Sequence, residues 1–574
     1  MVSEGQSVRK SALFVQIETY YNPIPFENRF SVSNSRKSAN FINQNSMKKS
    51  FSGHTVFRFM LMLAFAALCL LGMNSNKLHA EGSPQFKPDT TKTTYLMIIN
   101  NSAGYGTFAG YSATDTNRLF IRITDPATER IYFGVGQRTS GTTWYFRVKD
   151  PNGNVVYGPT AVPSSGAGWI NYHSQAIAGP NVFSAQGYNP ITITPTVGVP
   201  GNYYIEFNRG DPTAVSNNTE IGYGIFDITV GKPSTLQTYP GRLFSYNWSF
   251  NTDSYANQFY GSFHIYGADS SVTHINMNGI KPYKFRVSCN SYGTSSTGSV
   301  TTKRRSKLGF AVLPELKIFL RDPDLLAYPS GSLNFLSGAV TLNGCTRDSL
   351  CINVTLVKTS DVTVLIDRNN NGVYNAGTAD RKLFFPSVPA GTNCLPWDGK
   401  DGLGAFITPG TQVKIYISVQ SGEVNLPIYD VESHPNGYSM VVTRPAAALF
   451  VDSLFYDDVL VGGSTNLNGC AFPCHTWVSS PANSESNTIG NDNTINTYWF
   501  AHKQSVLATL NMPDYLTTTV GPDQTFCANA AGTDTVQLSG NITYSLSSYT
   551  GSFKWRSSGT GVFVPNDSTY NAKY

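Results

Sequence analysis

From Thr93 onward hydrophobic and polar positions alternate in twos. Leu119, Ile121 and Ile123 alternate with Phe120, Arg122 and Thr124, and Val413, Ile415, Ile417 and Val419 alternate with Lys414, Tyr416 and Ser418. Successive side chains of a strand point to opposite faces, so each run predicts a strand with one buried face. The β-prone runs 144–148 and 155–157 flank Lys149-Asp150-Pro151-Asn152-Gly153-Asn154, whose Asn-Gly step predicts a hairpin turn. No stretch past residue 80 keeps helical spacing for three turns. The predicted fold class is all-β, with several serial Ig-like β-sandwich domains.

Turn-rich breaks divide the chain. They fall at Gly231-Lys232-Pro233-Ser234, at Arg321-Asp322-Pro323-Asp324, after Thr443-Arg444-Pro445 and near 511–516. The expected organisation is therefore 81–232 as an N-terminal sandwich, 233–320 as a second β domain and 321–445 as an Ig-like sandwich carrying an Asp/Asn-rich loop. Beyond these, 446–515 is a β-rich region with Cys470 and Cys474, and 516–574 is a last segment patterned like strands.

The first 80 residues read differently. Met47-Lys48-Lys49 opens a basic stretch, residues 59–71 are uncharged and apolar, and Leu78-His79-Ala80 approximates a small-residue cleavage site. Together these predict a secretory signal peptide over 47–80, with 1–46 an over-extended gene start. Thirteen apolar residues are too few to span a bilayer. This changes the meaning of the formal +5 charge. Without residues 1–80, which hold nine Lys/Arg and three Glu, 32 positive charges face 33 negative ones. The basic balance then gives no reason to expect nucleic acid as a partner.

An exported chain meets an oxidising compartment, where local pairs Cys345 with Cys351 and Cys470 with Cys474 are plausible disulfides, although spacing alone does not fix connectivity. Asp367-Arg368-Asn369-Asn370-Asn371-Gly372-Val373-Tyr374-Asn375 places oxygens at positions 1, 3, 5 and 9, a backbone carbonyl at Val373, and glycine at 6, matching the start of a calcium loop. Position 12 is Thr378, so Asp380 would have to close the site. Two carboxylates predict a weak Ca2+ site, and the alternative is a metal-free Asx turn between strands. Trp397-Asp398-Gly399-Lys400-Asp401-Gly402 reads as hairpin turn chemistry. No G-x-S-x-G, H-E-x-x-H or P-loop is present, so no enzyme is expected. The aromatic runs Trp144-Tyr145-Phe146 and Tyr498-Trp499-Phe500 suit either a core or a sugar-stacking platform.

Several segments resemble one family. They are Glu81-Gly82-Ser83-Pro84-Gln85, Tyr203-Tyr204-Ile205-Glu206-Phe207, Asp430-Val431-Glu432 with Pro435-Asn436-Gly437, and Asn493-Thr494-Ile495-Asn496-Thr497-Tyr498-Trp499. The end adds Val520-Gly521-Pro522-Asp523-Gln524-Thr525-Phe526-Cys527 and Gly559-Thr560-Gly561-Val562-Phe563. These resemble the long exported surface proteins of gliding Bacteroidetes-type bacteria with Ig-like or PKD-like repeats, of which this chain would be an N-terminal fragment. The resemblance implies engagement of the secretion and sorting machinery of the type IX route, display on the outer face of the cell, and a non-catalytic role in adhesion or gliding. It implies an unidentified surface glycan or protein as ligand. The alternative expectation is a carbohydrate-binding module array of a polysaccharide-utilising system.

Overall fold

The computed structural model describes residues 80–520 apart from 103, 332–335, 347, 446–452, 479–487 and 514–515, and beyond them 540–544, 562 and 564. The expected leader up to His79 and most of the terminal repeat lie outside the described residues.

Antiparallel strands build nearly all of what is described, as the alternating pattern requires, and the fold is all-β. One sheet runs in the order Ile191–Ile193, Arg130–Arg138, Thr219–Lys232, Tyr95–Ser102, Asn247–Asn251, Lys284–Ser288, Gln412–Tyr429, Asn493–Asn511, Leu454–Asp457, Thr465–Cys470. A second sheet covers it, ordered Ser439–Arg444, Val272–Asn276, Ser262–Tyr266, Lys317–Phe319, Leu243–Ser245, Leu119–Ile123, Gly201–Arg209, Trp144–Lys149, Val155–Ala161. The two faces meet through ring contacts such as Phe133 on Phe146, 4.6 Å between centroids. The Trp248 indole N–H donates across the layers to the Ile318 carbonyl at 3.0 Å. This first core extends unbroken from Phe86 to Trp499. The Trp144–Lys149 and Val155–Ala161 hairpin forms as expected, with Asp150 Oδ1 accepting the backbone N–H groups of Asn152 and Asn154 at 2.9 Å each.

Continuity of this core corrects the expected domain divisions. Tyr95 and Leu96 pair with Asn251 and Phe250, and Leu243 and Phe244 pair with Ile121 and Phe120. Segments 81–232 and 233–320 are thus interleaved strands of one sandwich, not two domains in series. The 445/446 break is crossed in the same way, because Asn493–Asn511 pairs along Gln412–Tyr429. Pro and Gly mark turns reliably, but a turn does not report whether the next strand returns to the same sheet.

A second core lies further along the two long strands. Val413, Ile415, Ile417 and Val419, with Val362, Val364 and Ile366 of Ser360–Asp367, face Leu350, Ile352, Val354 and Leu395 of a three-stranded sheet. Gln412–Tyr429 and Asn493–Asn511 therefore serve both cores: residues up to Ser421 on one strand and from His502 on the other border the second core, and the remainder borders the first. At a rise of about 3.3 Å per residue such strands reach roughly 60 Å.

Candidate functional site

The Asp/Asn loop follows directly from the end of Ser360–Asp367 and leads into Arg381–Val388, its antiparallel neighbour. Asp367 is buried and its carboxylate ties down the turn, accepting from the Asn370 N–H at 2.7 Å and the Gly372 N–H at 2.9 Å. Gly372 has φ +76°, the left-handed conformation that a side chain resists, which explains glycine at this position. Asp380, also buried, closes the loop in place of Thr378. Its Oδ1 accepts from the Arg368 N–H at 2.9 Å, and its Oδ2 accepts from Asn369 Nδ2 at 2.8 Å. The Thr378 hydroxyl instead donates to the Asn375 carbonyl at 2.8 Å.

The side-chain amides converge. Asn369 Nδ2 and Asn371 Nδ2 lie 2.8 and 2.7 Å from Asn375 Oδ1. With its amide turned over, Asn375 would instead donate to Asp380 Oδ2 and to the Val373 carbonyl, each at 3.1 Å. Asn369, Asn371, Val373, Asn375 and Asp380 thus meet at one point, while Asp367 braces the loop beside it. Each amide presents an oxygen after a half-turn. The donor set at that point is hard oxygen with the one carboxylate of Asp380, since both oxygens of Asp367 are taken by backbone N–H groups, and such a set would hold Ca2+ only weakly. Among the described residues no group of three or more His, Cys, Asp or Glu gathers as a metal cluster.

The disulfides differ from expectation at one end. Cys470 and Cys474 are bonded, with Cα atoms 6.1 Å apart. Cys351 is bonded to Cys394 rather than to Cys345, across a Cα separation of 5.1 Å. In the sheet Asn353 sits opposite Cys394 and Cys351 opposite Pro396, so Cys351 and Cys394 are diagonal neighbours on one face. Cys345 lies on the strand Thr341–Thr346, where the register shifts between Gly344 and Thr346. Sequence proximity favoured the wrong partner because the three-stranded sheet brings residue 394 closer than spacing suggests. Cys289 is a free, buried thiol whose pKa burial raises well above the usual value.

The aromatic platforms are core. Trp144, Phe146, Tyr498, Trp499 and Phe500 are all buried, so these rings are not available for sugar stacking, and Tyr145 alone of the two runs is half-buried. Around Trp397 the turn chemistry is as expected: Asp398 Oδ1 accepts from the Lys400 N–H, Asp401 caps Leu403 and Ala405, and Arg381 pairs with Asp398 at 2.6 Å.

Two buried polar clusters escaped the sequence reading. Asp458, His475 and Thr497 form a chain, with His475 Nε2 2.8 Å from Asp458 Oδ2 and Nδ1 2.6 Å from Thr497 Oγ1. The order resembles a hydrolase triad, but His475 and Asp458 are 2% exposed, Thr497 is 0% exposed, and Tyr456 stacks flat on the imidazole. The cluster ties the end of the strand Leu454–Asp457 to the long strand. The second cluster sits where the two cores meet. Arg304 donates to Asp361 at 2.9 Å and to Glu423 at 2.6 Å, and His502 Nε2 lies 2.8 Å from Asp269 Oδ2. Burial would raise the Asp269 carboxyl, but the hydrogen bonds from His502 and Ser271 outweigh it and hold the group well below the usual carboxylate range. Spacing gave no signal for either cluster, since their members lie up to 233 residues apart in the chain.

No family model and no curated protein matches this chain.

Proposed function

We propose that this chain is an exported, surface-displayed β protein whose role in adhesion or gliding is structural and interfacial rather than catalytic. The observation that carries the reading is the pair of long strands hydrogen-bonded to each other through both cores. A pull along the chain that reaches one core is passed to the other by backbone pairing and not by a flexible linker, as an element bearing load at a cell surface needs. Two disulfides support an oxidising destination. The resemblance adds the type IX route and a surface glycan or protein as ligand. Sugar stacking, if it contributes, would use exposed rings such as Tyr172, Tyr283 and Tyr374 in place of the buried tryptophans.

The Asp/Asn loop is proposed as a weak structural Ca2+ site that stiffens the end of the second core. In cells lacking the protein, loss of surface attachment or of spreading is the expected outcome. Unchanged attachment and spreading would remove the adhesive reading.

A further inference from the structure

The expected cleavage point falls at a built site. Glu81, the first residue after Ala80, is 2% exposed, and the segment it opens pairs along the edge of the strand Thr219–Lys232, with Gly82 bridged antiparallel to Asp227. Ser83 Oγ accepts from the Phe226 N–H at 2.8 Å, the Glu81 carbonyl accepts from the Ile228 N–H at 3.0 Å, and Phe86 stacks on Phe226 at 5.2 Å within the first core. Gly82 has no room for a side chain, because a Cβ there would lie 2.4 Å from the Phe226 carbonyl oxygen.

The backbone nitrogen of Glu81 points at a carboxylate. It donates to Asp227 Oδ1 at 2.7 Å, and Asp227 is 0% exposed. Tyr188 donates to Oδ2 of the same carboxylate at 2.7 Å, and Thr229 Oγ1 donates to it at 2.9 Å. The Glu81 carboxylate is buried beside it, accepting from the backbone N–H groups of Gly241, Arg242 and Leu243 at 3.1, 3.2 and 3.3 Å. Arg321 is the cation that acts on both carboxylates, and it donates to the Ala80 carbonyl at 3.1 Å. Arg242 faces away toward Asp324 and Glu129.

Two buried carboxylates thus share one guanidinium, and buried charge is costly unless paired. The missing cation is what cleavage would create. We propose that the processed chain begins at Glu81 and that its new α-ammonium is held in this buried site against Asp227, so that removal of the leader completes the docking of the N-terminal segment. In the uncut chain the same nitrogen is a neutral amide with one proton to give. After cleavage it is a cation with three, placed 2.7 Å from a carboxylate already oriented by Tyr188 and Thr229.

The inference rests on the export reading, and one experiment separates them. Full-length protein is produced in cells that export it, the product is recovered, and its first residue is read by mass spectrometry. The recovered protein is then treated with an amine-acetylating reagent, native and unfolded. The expected result is an N-terminus at Glu81 whose α-amine reacts at least about tenfold more slowly in native than in unfolded protein. Exposed lysines should react alike in both. In an Asp227→Asn protein the native protection should fall, and Tyr188→Phe, which keeps the carboxylate, should retain most of it. An exported chain starting at another residue, or a Glu81 amine as reactive as the lysines, overturns the inference and leaves export standing. A chain recovered uncut inside the cell overturns both.

Discussion

Asp380 is the residue on which the calcium reading turns, since it supplies the carboxylate at the meeting point and gathers the side-chain amide of Asn369 and the backbone N–H of Asn375. A dissociation constant of about 10⁻⁴ to 10⁻³ M makes 10 mM Ca2+ worth about 1.4 to 2.7 kcal/mol. Thermal unfolding should therefore shift upward by a few degrees on adding Ca2+, and Asp380→Ala should abolish the shift. An equal shift in the variant would leave the loop as an Asx turn. Trp144 belongs to the same scale. Its burial means that Trp144→Ala should cost about 3–5 kcal/mol through a cavity, measured by denaturant unfolding, and not a surface interaction. Burial also sets a pH dependence at Glu81 and Asp227. In protein that keeps residue 80, burial raises these carboxyls to about 8 and about 7, against the opposing pull of backbone donors and Arg321 for Glu81, and of Tyr188 for Asp227. A raised carboxyl favours folding while protonated, so this contribution is present below the unfolded values near 4 and is lost as pH rises through 7–8. Stability of the uncut protein should fall across that window, and the processed protein should fall less, as read from denaturation midpoints at pH 5 and pH 8. At this scale the loop was legible because side-chain oxygens and a turn glycine are local in sequence. The Cys351–Cys394 pair and the Asp458–His475–Thr497 chain were not, because strand register decides them.

The two long strands carry the argument at the scale of elements. Gly422 lies where Gln412–Tyr429 passes from one core to the other, with φ +69° and a would-be Cβ 2.6 Å from Asp269 Oδ2. Gly422→Ala should destabilise by at least about 2 kcal/mol, because backbone strain and the displaced Asp269 act together. Arg304 clamps the same crossing to Asp361 and Glu423 with little water access. Arg304→Met should cost about 3–5 kcal/mol by leaving two carboxylates without their cation. A loss below about 1 kcal/mol, measured by urea unfolding, would show the clamp to be dispensable. The alternation of Val413, Ile415, Ile417 and Val419 announced the strand in the sequence. Nothing there announced that it continues through Val424, Leu426 and Ile428 into a different core, since the period of two persists while the covering sheet changes.

For the whole molecule, the first core is shared by segments far apart in sequence, which limits how the chain can be cut. Residues 81–232 alone would leave Tyr95–Ser102 without Asn247–Asn251 and Leu119–Ile123 without Leu243–Ser245. Open hydrophobic edges favour aggregation, so that fragment should be insoluble while residues 81–520 stay in solution. Antibodies for cell work are therefore better raised to the larger piece. Display at the cell surface is the role proposed for this chain, with its docked N-terminal segment and two cores joined by shared strands. The most direct measurement is an immunoblot of intact cells before and after brief treatment with an external protease. The expected result is a signal that disappears on shaving while a periplasmic control survives. A signal protected in intact cells and lost only after lysis would contradict surface display.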